Sequence, residues 1–344
     1  MRRYFLSLFL FLSPIVYAQE IQLDPAVLSE GHADFVQLVA EKDGATVEQA
    51  FKDGKGEAFN TPSHLLFLKT VAARNPDASV MHVLNTLNQK LAELDTSTAD
   101  FSFKNPMLYN LPFIVAAAHN TNPDVLKELI TAGADINAVN SAGESALFAA
   151  ALKNPKFEIL TFLLENGADV NFKNKDEQTP LMALAESSDQ ENVFDLFFTH
   201  GADINWRANS GITALMVLAK NTQNPALIRK FIEQGADINA SGDNGETALV
   251  YAIIGNNNLS VTEELLTSHA NINVQNAGGI TPLMWGVIHN ENPDVVRLLL
   301  KYGADPTVKN KKGYTALDLA SQNKDFMETP AYQALKGATL DQQF

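Results

Sequence analysis

The chain has 344 residues, no cysteine, and 40 acidic against 25 basic side chains, a formal charge of −15. Such an acidic surface repels phosphate backbones and anionic lipid, which excludes nucleic acid as the expected partner. Without thiols there are no disulfide staples, no cysteine-based zinc site and no lipid-modified cysteine at an export cleavage point, so stability has to come from packing.

The first element is a leader. Arg2 and Arg3 form a short basic start, residues 4–16 are almost wholly apolar, and Val16-Tyr17-Ala18 places small or aliphatic residues where a signal peptidase reads. Cleavage after Ala18 is expected, and Pro14 favours removal over an uncleaved anchor. The Arg2-Arg3 pair has a twin-arginine look, but the minimal charged region and very apolar core point to general secretion. Removal takes away two arginines and no acid, moving the formal charge from −15 to −17. No other segment approaches the roughly 18–20 apolar residues of a membrane span. The mature chain is therefore expected in the periplasm, or secreted, without membrane insertion.

Residues 19–60 carry a weak signal. Phe35, Leu38 and Val39 have helical spacing, and Asp53-Gly54-Lys55-Gly56 is loop chemistry, which reads as a helical N-terminal cap. Over residues 61–106, Thr61-Pro62 and Asn75-Pro76-Asp77 supply start and break signals, a helix is predicted over 78–94, and Ala99-Asp100-Phe101 follows. This segment reads as a degenerate copy of what comes next.

From residue 107 the chain repeats itself. Gly-Ala-Asp starts at Gly133, Gly167, Gly201 and Gly235, spaced by 34 residues, and again at Gly303; the missing copy reads His269-Ala270-Asn271. A second marker, Ser/Thr followed by Ala/Pro and Leu, puts its middle residue at Ala146, Pro180, Ala214, Ala248, Pro282 and Ala316 in the same phase. Two markers in one phase mean a tandem array whose repeats bury apolar faces against their neighbours. In the repeat beginning at Gly201, that glycine suits the left-handed position after a helix. Residues 202–205 are expected to run extended, and Asn209-Ser210-Gly211 to turn. Thr213 is an N-cap, echoed by Thr179-Pro180 and Thr281-Pro282. Two helices follow, over about residues 214–220 and 225–233, divided at Asn224-Pro225.

Turn, helix, short loop and helix, with these signatures, resemble the ankyrin repeat in an exported bacterial form one residue longer than usual. The extra residue falls in the loop between helices, where the chain has Asn120-Thr121-Asn122-Pro123 and Asn221-Thr222-Gln223-Asn224-Pro225. The resemblance covers seven repeats, residues 107–344, the seventh acting as a C-terminal cap with a shortened last helix over 330–335. It implies a mostly α solenoid of stacked helix-turn-helix repeats with hairpin loops. It also implies a protein partner, no cofactor and no catalytic centre.

The residues agree with a non-enzyme. The seven histidines (His32, His64, His82, His119, His200, His269, His289) show no metal-ligating spacing. His119 and His289 share a phase, yet lie five periods apart. The repeated Asp-x-Asn pairs, such as Asp203/Asn205, lack the calcium-loop glycine and glutamate; each aspartate is expected to serve its own turn through nearby backbone N–H groups. Met182, Met216 and Met284 read as inter-repeat packing. His269 and Glu177 stand where glycine is expected and mark departures from the pattern.

In arrays of this family partners meet hairpin tips and first helices. At those slots the late repeats turn apolar: Ile254, Ile280, Ile288 and Tyr314 form the main candidate patch, with lateral packing as the competing reading. Phe172 and Trp206 form a second candidate, since their slot is alanine at Ala138 and Ala240. Tyr251 and Trp285 read as packing. The resulting expectation is an exported, monomeric scaffold that sequesters or inhibits a protein, of cationic character if charge guides it. A concrete form is an immunity protein against a periplasm-acting toxin. The alternatives are a structural or protective factor for an envelope enzyme or stress response, and a secreted effector that binds a host protein.

Overall fold

The computed structural model describes residues 37, 39–52, 68–94, 107–289 and 292–341. The expected export signal, the loop at Asp53–Gly56, Thr61-Pro62 and Ala99–Phe101 lie outside them. The chain divides into two compact units, Met1–Lys175 and Asp176–Phe344, each described by itself.

In the first unit, helices α1 (Gly44–Lys52), α2 (Ala78–Leu94), α3 (Met107–His119), α4 (Pro123–Thr131), α5 (Ala146–Lys153) and α6 (Phe157–Glu165) follow in order. The predicted span of α2 is met. First helices stack on first helices, α3 on α5, and second on second, α2 on α4 and α4 on α6. In the second unit the helices are α7 (Pro180–Ser187), α8 (Glu191–Thr199), α9 (Ala214–Asn221), α10 (Pro225–Glu233), α11 (Ala248–Gly255), α12 (Leu259–Thr267), α13 (Pro282–His289) and α14 (Asp294–Lys301), closing with α15 (Ala316–Ala320), α16 (Lys324–Met327) and α17 (Pro330–Asp341). There α7, α9, α11, α13 and α15 form one layer, and α10, α12, α14 and α17 another.

Several helix starts have a local cause. Thr179, Thr213 and Thr281 accept the N–H of Met182, Met216 and Met284 at 3.4, 3.4 and 3.3 Å, and Thr315 forms a reciprocal capping box with Asp318. The first helices are enclosed nearly all round: α11 buries Ala248, Leu249, Val250, Ala252 and Ile253. Second helices bury one stripe, as α10 does with Leu227, Ile228 and Phe231. Met182, Met216 and Met284 are buried, as expected for packing.

The helix ends repeat too. Gly201 takes φ 78°, its N–H bonding Phe198 O at 3.0 Å while that of Ala202 bonds Phe197 O at 3.1 Å, the closure of a left-handed helix terminus. His269 does the same at φ 68°, and Glu177 takes φ 60° in the third hairpin.

Two expectations are corrected. Residues 202–205 do not run extended but turn, because Asp203 Oδ1 accepts the N–H of Asn205 at 3.0 Å; the local carboxylate out-competes an extended backbone. The aspartate does serve its own turn, as its residue type indicates. The last helix is not shortened to 330–335 but spans Pro330–Asp341. No residue within it takes left-handed backbone, Gly337 lies inside it in open space, and α17 packs on α14 and α15 while burying Ala331 and Leu335.

Two asparagine series tie neighbouring repeats within each unit. At the turns, Asn137 Oδ1 accepts Asp169 N at 2.9 Å, and Asn239 and Asn273 do the same for Asn271 N and Asp305 N at 2.8 and 2.9 Å. In the loops between helices, buried Asn154 donates to Ala117 O and Asn120 O at 3.0 and 2.6 Å, and buried Asn256 donates to Ala219 O and Thr222 O at 3.0 and 2.7 Å. These amides satisfy helix-end carbonyls that would otherwise be buried without donors.

Candidate protein-binding groove

Enclosure of the first helices leaves few slots facing outward, and their side chains decide what the array offers. At the slot of Ala149 the residues of successive repeats are Val115, Ala149, Ala183, Val217, Tyr251, Trp285 and Leu319, the first three buried and the last four half-buried. Large rings therefore occur on two neighbouring repeats, at α11 and α13. With Ile254, Gly255, Lys220 of α9, and Asn244 and Glu246 of the fifth hairpin, Tyr251 and Trp285 line a groove of about 280 Å³.

Packing explains why this groove exists. A Cβ at Gly255 would lie 2.6 Å from Lys220 Cγ, so the bare glycine lets the lysine stem lie down across the end of α11. The fifth hairpin is pressed onto the sixth, with Ala277 N bonding Asn244 O at 2.9 Å. Gly245, at φ 92°, permits this because a Cβ there would meet Asn276 Cα at 2.8 Å. On the far side the Trp285 ring stacks on His289 at 4.8 Å between centroids.

The electrostatics are uneven. Burial, and then the Glu246 carboxylate nearby, raise the Tyr251 hydroxyl above its ordinary pKa. In the second repeat Glu144, at the slot of Glu246, accepts the amide of Asn140 at 2.9 Å. In the fifth repeat Gly242 stands in the place of that asparagine. Among the described residues Glu246 then has neither an ion pair nor a side-chain hydrogen bond, and the Trp285 indole N–H meets no acceptor.

Of the residues singled out from the sequence, Ile254 lines the groove and is 40% exposed, while Ile288 on α13 and Tyr314 on the seventh hairpin are each 43% exposed outside its lining. Ile280 is half-buried, its N–H held by Asn276 Oδ1 at 2.9 Å. Trp206 is half-buried and donates its indole N–H to Glu177 O at 2.7 Å, so its polar end holds the unusual third hairpin. Phe172 is half-buried in the first unit. Tyr251 and Trp285, read from sequence as packing, are groove walls. The signal that could have found them was the jump from small to aromatic along one slot. His269 ends a helix and Glu177 forms a hairpin, and neither is among the groove's lining residues.

Among the described residues no three histidine, aspartate or glutamate side chains converge on a metal-sized point, and no helix is long and apolar enough to cross a membrane. A family model for ankyrin repeats matches three times, over residues 113–208, 190–276 and 252–335. The chain belongs to the ankyrin-repeat family. No curated protein matches it. Ankyrin-repeat proteins are generally non-enzymatic binding scaffolds, and this one is a protein–protein interaction scaffold.

Proposed function

We propose that this ankyrin-repeat protein is an exported scaffold that sequesters or inhibits one protein partner in the periplasm through the groove walled by Tyr251 and Trp285. The groove carries the reading: it is concave, mostly apolar and aromatic, with a few polar groups at its edge, as interface anchor sites are. Export is supported by the basic, apolar and small-residue succession over residues 1–18. Immunity against a periplasm-acting toxin is one form of this activity, since a rigid non-catalytic scaffold needs only to occlude its target.

The test is affinity capture from periplasmic and culture fractions with the mature chain and its Ile254→Asp variant, beside an Ile280→Asp/Tyr314→Asp double variant. The expected result is one stoichiometric partner, lost with Ile254→Asp while helical circular dichroism is unchanged. A partner that survives Ile254→Asp but not the double variant would move the site to the hairpins of repeats six and seven.

A further inference from the structure

The groove has a chemical bias beyond being apolar. Two aromatic rings, Tyr251 and Trp285, line it, and aromatic rings attract cations. Its one carboxylate, Glu246, has lost the internal amide donor that Glu144 keeps, because Gly242 replaces the asparagine. Tyr251 is close enough to Glu246 to respond to its charge. The surrounding chain is acidic, with a formal charge of −15.

We infer that the groove receives a basic side chain, arginine or lysine, from the protein partner, its charged head set against Tyr251, Trp285 and the Glu246 carboxylate and its stem along Ile254. This rests on the groove being the partner site. The alternatives fit worse. A purely apolar side chain would cover Glu246 and leave a desolvated carboxylate without a partner. An acidic side chain would meet Glu246 and the negative field of the chain. Lys220 also lines the groove, its stem held over Gly255. Its ammonium opposes a bound cation, so the cationic and anionic readings predict opposite effects of its removal.

The experiment uses the mature full-length chain carrying Trp206→Phe, which leaves Trp285 as the remaining one of 2 tryptophans. Three probe peptides are titrated by indole fluorescence and calorimetry: acetyl-Gly-Leu-Arg-Leu-Gly-amide, its citrulline counterpart of equal shape without charge, and its glutamate counterpart. The arginine peptide should give a saturable signal at least about tenfold tighter than citrulline. Glu246→Gln should weaken it by about tenfold, whereas Lys220→Met should tighten it several-fold. Equal binding of arginine and citrulline, tighter binding of glutamate, weakening by Lys220→Met, or no saturable signal would each overturn the inference. The two readings separate in the capture experiment. A partner lost with Ile254→Asp but indifferent to Glu246→Gln keeps the groove as the site and removes the basic side chain; a partner indifferent to both removes the groove.

Discussion

Asn205 holds Asp237 of the next repeat in place: its Oδ1 accepts the Asp237 N–H at 2.9 Å, and its Nδ2 donates to Gly235 O at 2.9 Å. One exposed amide thus clamps the helix end and the turn of its neighbour. Asn205→Ala should lower unfolding stability by about 1–2 kcal/mol, two hydrogen bonds of ordinary net strength. Asn205→Asp, which keeps the acceptor and loses the donor, should fall between. Urea denaturation followed at 222 nm measures both.

Asn256 should matter more. It is buried, and its amide serves Ala219 O and Thr222 O while its Oδ1 accepts Asn258 N at 2.9 Å. Asn256→Ala leaves buried carbonyls without donors, so a loss of about 2–4 kcal/mol is expected. A loss no greater than that of Asn205→Ala would show that water reaches these carbonyls.

Left-handed backbone at His269 and Glu177 makes the opposite prediction. Glycine adopts that conformation without steric penalty, so His269→Gly should raise stability by about 0.5–1 kcal/mol. Glu177→Gly should do the same by a smaller margin if the Trp206 bond to Glu177 O persists. Decreased melting temperatures for both would mean that the side chains make compensating contacts.

Gly255 separates binding from folding. Its φ is not in the left-handed range, and the nearest atoms to an added Cβ belong to the flexible Lys220 side chain. Gly255→Leu forces the Lys220 stem to swing aside, because Lys220 Cγ would lie 2.6 Å from the new Cβ, so a loss of stability of about 1 kcal/mol with the fold retained is expected. The same substitution should fill the groove and abolish partner capture. Retained capture at full affinity would place the contact elsewhere.

Lys69 supplies a pH signature. It is fully buried, and burial pulls its ammonium down to about 7 from 10.5. Between those values the unfolded chain binds the extra proton, so stability rises with pH from about 7 to 10.5 and the penalty is complete below 7. Lys69→Met should be more stable than the parent at pH 7, with the difference shrinking toward pH 10. Thermal melts from pH 6 to 10 would show it, and a pH-independent difference would place the cost in packing.

Local chemistry was legible without coordinates. The threonine caps, the span of α10 and the left-handed backbone at His269 depend on residues a few positions apart, and their residue types suffice to choose the conformation, whereas at residues 202–205 the sequence suggests an extended run and the Asp203 carboxylate closes a turn. The length of α17 was not legible, because a terminal helix extends as far as its packing on α14 and α15 supports it.

The groove belongs to the same second class. Its walls, Tyr251 and Trp285, are one period apart and, from the sequence, read as packing. Only the stacking of α9, α11 and α13 brings them together with Lys220 and Glu246 in one lining. Glu246 lost its donor through Gly242, and Lys220 folds over Gly255 in a neighbouring repeat. By itself the sequence determined the repeat, its helices and its caps, since these follow from short-range sterics and hydrogen bonding. Where the rings, the carboxylate and the bare glycine meet was decided by the tertiary structure, because burial is shared between repeats and no single repeat contains it.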